Sequence, residues 1–81
     1  MDQKIQSITQ ALKDLTEDTT VPKNIRNRVL NIIQILQDDS DLNIKINRAL
    51  QELDEISEDT NIQQYTRTQV WNIASMLEML N

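Results

Sequence analysis

Shifted by 41 residues, the two halves of this 81-residue chain align without a gap. Ile5 falls on Ile46, Gln10 on Gln51, Leu12 on Leu53, Arg26 on Arg67, Val29 on Val70 and Leu36 on Leu77. The triplet Glu17-Asp18-Thr19 falls on Glu58-Asp59-Thr60, and Asn31-Ile32 on Asn72-Ile73. Val21 with Ile62 and Ile35 with Met76 are conservative matches. A period near 40 is the length of a helix-turn-helix unit of the HEAT or armadillo kind. Amphipathic helices can match by chance at their apolar positions. A shared acidic triplet and a shared Arg argue instead for one duplicated unit, covering 1–40 and 41–81 of a single helical domain.

Each unit reads as two helices. Ile5, Ile8, Leu12 and Leu15 step by helical intervals and predict a helix over about 3–17. Thr19-Thr20-Val21-Pro22 interrupts that pattern, and Pro suits the first turn of the next helix because its missing N–H has no intrahelical partner there. Ile25, Val29, Ile32 and Leu36 predict a second helix over about 22–37. Asp38-Asp39-Ser40-Asp41 links the halves and places negative charge before the positive end of the third helix. That helix carries Leu42, Ile46, Ala49, Leu53 and Ile56; the fourth carries Ile62, Thr66, Val70, Ile73, Leu77 and Leu80, with Asn61 and Gln64 spaced as a capping box. Ile33, Ile35, Ala74 and Met76 broaden the apolar stripes of the second and fourth helices, which are therefore expected at the centre with the other two outside. Short connections make consecutive helices antiparallel. The expectation is an all-α, four-helix up-down bundle built from a duplicated hairpin, with a HEAT-like stacked pair as the other packing that periodicity allows.

Composition removes much chemistry. There is no Cys and no His, so disulfides, the commonest zinc ligands, the usual soft nucleophile and the usual general base are all missing. Average usage would give a chain of this length about six Gly; it has none. Without Gly there is no Walker loop and no dinucleotide fingerprint. Helix ends must then rely on Asn, Asp or Thr, or on turns outside the left-handed region. A net charge of -5 repels nucleic acid and anionic lipid in bulk. The N-terminal Met1-Asp2-Gln3-Lys4 lacks the apolar core of a signal peptide, and no apolar run approaches the ~20 residues of a membrane span. A cytoplasmic protein without cofactor, metal or evident small-molecule substrate is expected.

Val21-Pro22-Lys23-Asn24-Ile25-Arg26 followed by an apolar helix, and Leu53-Asp54-Glu55-Ile56-Ser57-Glu58-Asp59 leading to Arg67-Thr68-Gln69-Val70-Trp71, resemble an archaeal family of small all-helical proteins known as an uncharacterised protein family. The resemblance spans nearly the whole chain. It implies an archaeal source and a helical bundle, and it supplies no activity, substrate or catalytic residue. Members of that family usually carry Pro in the second loop, where this chain has Asn61-Ile62-Gln63. The change implies a looser start to the fourth helix.

Five groups of residues are candidate sites. Leu30 and Trp71 occupy equivalent positions far from the apolar stripes of their helices. With Ile35 and Met76 they suggest a contact surface for a protein partner or a second copy, giving a homodimer. Lys23, Arg26 and Arg28 form a basic cluster that could touch phosphates, as in an accessory factor of a ribonucleoprotein or other nucleic-acid machine. No aromatic residue interleaves them, and balance against Glu17 and Asp18 is the simpler role. The repeated Glu-Asp-Thr triplets read as turns pinned by side-chain hydrogen bonds, with Arg26 and Arg67 as compensating cations. Asp39-Ser40-Asp41-Leu42-Asn43 has the first spacings of a calcium loop but lacks its Gly and its final Glu. Glu52, Asp54, Glu55 and Glu58 are spread around a polar face, which is solvation and not acid–base catalysis. The residues thus point to a non-catalytic interaction module, with a second copy of itself among its candidate partners.

Overall fold

The computed structural model describes residues 3–80. Four helices follow one another: α1 (Gln3–Glu17), α2 (Lys23–Gln37), α3 (Leu42–Ser57) and α4 (Gln64–Glu78). The 41-residue repeat holds to the residue between α2 and α4, whose bounds differ by that interval at both ends. Each of α1, α2 and α4 has 15 residues and α3 has 16, about 22–24 Å of helix at 1.5 Å per residue. That length fits a body of 32 × 20 × 17 Å.

Contacts run α1 to α2, α2 to α3, α3 to α4 and α4 back to α1, with none across either diagonal. The four helices therefore form a closed square, an up-down bundle in which every neighbour is antiparallel. A stacked HEAT-like pair would instead bring α1 beside α3. The square also corrects the expected placement of α2 and α4 at the centre: all four helices occupy corners. The residues that widen the stripes of α2 and α4 have different fates: Ile33 and Ile35 are buried, Ala74 is partly covered and Met76 is exposed.

The core is aliphatic throughout. Ile8 and Leu12 from α1, Ile32 from α2, Ile46 and Leu53 from α3 and Ile73 from α4 are at most 1% exposed. Both hairpin loops add to it, because Val21 and Ile62 fold inward and are buried. Leu42 departs from expectation. It lies in the first turn of α3, beyond the end of the core stripe, and is exposed.

A chain without Gly must end its helices without the usual left-handed cap. No described residue has positive φ. Cationic side chains from the following helix take over that work. The Lys45 ammonium donates to the Leu36 and Asp38 carbonyls at the end of α2, at 3.2 and 2.9 Å. Arg67 does the same for α3, donating from Nε to the Ser57 carbonyl at 3.0 Å and from Nη2 to the Asp59 carbonyl at 2.9 Å. Both place positive charge where the helix dipole is negative. Asp41 caps the start of α3 by accepting from the Asn43 N–H. The expected capping box at Asn61 and Gln64 does not form. The Asn61 N–H donates to the Asp59 carboxylate, and α4 starts after Gln63, which makes no side-chain cap.

Turn carboxylates couple the fold to acid. Asp18 accepts from the Thr20 hydroxyl and N–H, and Asp38 from the Ser40 hydroxyl and the Asp39 N–H. These bonds, helped at Asp38 by the Arg48 and Lys45 charges, hold both carboxyls below their ordinary value of 3.8. A group with a depressed folded pKa stabilises above its unfolded value, and that contribution is lost as pH falls through the folded one. The melting temperature should therefore drop as pH falls below about 3.8. Asn accepts the same two bonds at position 18 without titrating, so Asp18→Asn should flatten part of that slope in an acid melting series.

Candidate functional site

The square arrangement separates the residues that the sequence grouped. Leu30 and Trp71 are 47% and 53% exposed. They stand on the outward faces of helices at opposite corners, so they point to opposite sides of the molecule. Ile35 is buried and presents nothing to a partner. Met76 is partly exposed, but five residues at ~100° each set it about 140° around α4 from Trp71. The four residues do not share one surface. Trp71 remains exposed on its own face, apart from the other three.

The basic cluster is likewise taken apart. Arg28 reaches α3, bonding Glu52 at 3.0 Å and lying 3.5 Å from Glu55. Arg26 lies about 160° around α2 from it, half-buried, its Nε enclosed without a hydrogen-bond partner. Lys23 is exposed at the start of the helix. The expected balance against Glu17 and Asp18 is replaced by the Arg28 bridge across to α3. The two Arg-bearing turns also differ. Arg67 holds the α3–α4 turn, whereas in the α1–α2 turn the Asp18 carbonyl accepts from the Val21 N–H at 3.1 Å. The triplets do form turns pinned by side chains, with Arg67 acting on carbonyls and not on carboxylates. The start of α4, where Pro is absent, is held by this Arg.

No group of three or more carboxylates among the described residues is placed to hold a metal ion. Two of the helix α3 carboxylates, Glu52 and Glu55, are engaged by Arg28. Asp41 of the calcium-loop-like stretch serves as a helix cap. A hollow of about 450 Å³ lies between α1 and the end of α2, over Ile5 and Leu36. It exists because Asp39 stands where the second half has Leu80, which packs against the core. Ile5 is consequently half-covered while its counterpart Ile46 is fully buried.

The two seams between hairpins show a larger divergence, one that sequence reasoning missed. Repeat equivalence relates the α2–α3 seam to the α1–α4 seam. In the first, Arg28 meets Glu52 and Glu55. In the second, Gln69 stands for Arg28, Ala11 for Glu52 and Asp14 for Glu55, and all three line one hollow of about 150 Å³ with Tyr65. Further along, Arg48 and Asp38 border the first seam. Ser7 and Met79 take their places in the second, around a hollow of about 240 Å³ floored by Ile8 and Met76. Tyr65 and Met79 are 64% and 77% exposed. Comparing the halves for what differs, instead of for what matches, would have exposed this.

The molecule is thus a closed, antiparallel four-helix bundle of duplicated hairpins, with no helix long and apolar enough to cross a membrane among its described residues. Residues 1–80 match the model of the uncharacterised protein family UPF0147, and the chain belongs to that family. The crystal structure of an unknown function protein, MMP1188, is similar at 42% sequence identity and a TM-score of 0.92, covering 96% of this chain and 90% of that one. No curated protein matches the chain.

Proposed function

We propose that this protein is a non-catalytic, cytoplasmic interaction module that works by binding protein, a second copy of itself included. The observation that carries this reading is that the core uses no aromatic residue. The chain has one Trp, one Tyr and no Phe, and Trp71 and Tyr65 are both more than half exposed. Aromatic side chains bring about 150–250 Å² of surface each and dominate packing energetics where they are buried. A small domain that leaves both outside its core gives up burial that its stability could use. Trp and Tyr are also the residues most enriched among interface anchors. The basic side chains give no comparable support for a nucleic-acid role, since they face different ways and Arg28 is paired.

In dilute solution Trp71 should emit as a water-exposed indole and shift to the blue when a partner covers it. Affinity capture with wild type and with Trp71→Ala should differ, the variant losing proteins that wild type retains. A shielded emission in the dilute protein, or the same proteins on both columns, would overturn this reading.

A further inference from the structure

We propose that the α1–α4 seam is the face on which two copies of this chain pair, related by a two-fold axis that sets the seams antiparallel. The inference deepens the interaction-module reading by naming one partner. It uses a face separate from that of Trp71, so the two can fail independently.

Charge is the first argument. At a net charge of -5, two copies repel each other in most orientations. The α2–α3 seam is crossed by the charges of Arg28, Glu52 and Glu55. At the equivalent places on the α1–α4 seam, Gln69 and Ala11 carry none, while Asp14 keeps the charge of Glu55. Ser7, Met76 and Met79 continue the seam toward the end of α4, beside Lys4. The two seams have the same net charge, but a copy approaching the α1–α4 seam takes fewer charged groups out of water than one approaching the α2–α3 seam.

Self-complementarity is the second. The seam has Lys4 at one end and Asp14 and Asp18 at the other. A two-fold axis makes residue i of one copy meet residue j of the other, and j meet i. Antiparallel apposition therefore brings the Lys4 end of each copy against the Asp14 and Asp18 end of its partner, twice. The same operation brings Met79 of one copy toward Tyr65 of the other. A thioether beside an aromatic ring is a favourable contact, and it covers the two most exposed large apolar side chains among the described residues.

Area sets the strength. One face of a 32 × 20 × 17 Å body falls short of the roughly 800 Å² per partner of a standard interface. The dimer should accordingly be weak and dissociate on dilution through the micromolar range.

Sedimentation equilibrium over a wide concentration range tests this with the full chain. Wild type should follow a monomer–dimer isotherm. Met79→Glu puts two extra negative charges into a symmetric interface and should weaken pairing by about tenfold or more. Its side chain is exposed, so helix content and melting temperature of the dilute monomer should stay at wild-type values. Lys4→Glu should weaken pairing, and adding Asp14→Lys should restore much of it, because those two positions have exchanged sign. Trp71→Ala should pair as wild type does. A wild type that stays monomeric at the highest concentration would overturn the proposal. So would a dimer indifferent to Met79→Glu, one lost on Trp71→Ala, or a seam that binds only a different protein.

Discussion

Leu53→Ala should take away a large part of this protein's stability. Leu53 is 1% exposed in the C-terminal half of α3 and belongs to a core cluster that draws on all four helices. Truncating such a side chain costs about 2–5 kcal/mol, the lost transfer energy plus the cavity left behind. A chain of 81 residues has about 4–12 kcal/mol in total at the usual per-residue values. In a domain this small each kcal/mol moves the melting temperature by about 4–8 °C, so a fall of at least about 8 °C is expected. The comparison is Leu30→Ala. Leu30 is 47% exposed, and its truncation should stay within about 0.5 kcal/mol of wild type. Thermal and urea melts followed by helical circular dichroism would check both. A Leu53→Ala protein melting within about 3 °C of wild type would mean that α3 does not seal the bundle.

That contrast marks how far the sequence could be read. Leu12, Ile32, Leu53 and Ile73 were legible as core because helical spacing and the repeat select the same positions. Loops that are short in residues also forced antiparallel neighbours. Packing order was not legible. Stripe width put α2 and α4 at the centre, yet width counts apolar side chains on one helix and says nothing of which helices close the ring. The four-residue surface failed for the same reason. Leu30 and Trp71 are equivalent by repeat, and in a square bundle repeat equivalence places them on opposite corners. Ile35 and Met76 are equivalent too, but one is buried and the other is at an open seam, because their neighbours have diverged. Capping was invisible because its donors come from a different helix. Nothing local to Leu36 or Ser57 announces Lys45 or Arg67.

The divergence between copies explains more of this molecule than their likeness does. The shared positions build the core and fix the fold. The differing ones decide what each surface does: Leu80 closes a groove that Asp39 leaves open, and Arg28 with Glu52 bridges a seam where the other half has Gln69 and Ala11. A duplicated bundle would have two equivalent faces if its halves were identical. Here one face is crossed by the Arg28 ion pairs, and the other has Gln69 and Ala11 at the matching places.

The Arg pair gives the sharpest test of that divergence, because one residue type at equivalent positions should behave in opposite ways. Arg67→Met keeps most of the stem that packs on the helix and removes the guanidinium. Two carbonyls at the end of α3 then lose their donors, as does the longer contact to Gln64. Hydrogen bonds from a charged donor are worth about 1.5–3 kcal/mol. Water can reach this half-covered turn and replaces part of each bond, so the net cost should be about 1–3 kcal/mol, or roughly 5–20 °C in melting temperature. Arg26→Met removes a guanidinium whose Nε is enclosed and unpartnered. Replacing an unsatisfied polar atom with an apolar one is neutral or stabilising, and the α1–α2 turn keeps its Val21 N–H bond and the fixed φ of Pro22. The expected order is therefore Arg26→Met at or above wild type and Arg67→Met well below it. Equal losses at the two positions would mean that Arg26 caps the first turn as Arg67 caps the second, and that the copies are closer to symmetric than their hydrogen bonds indicate.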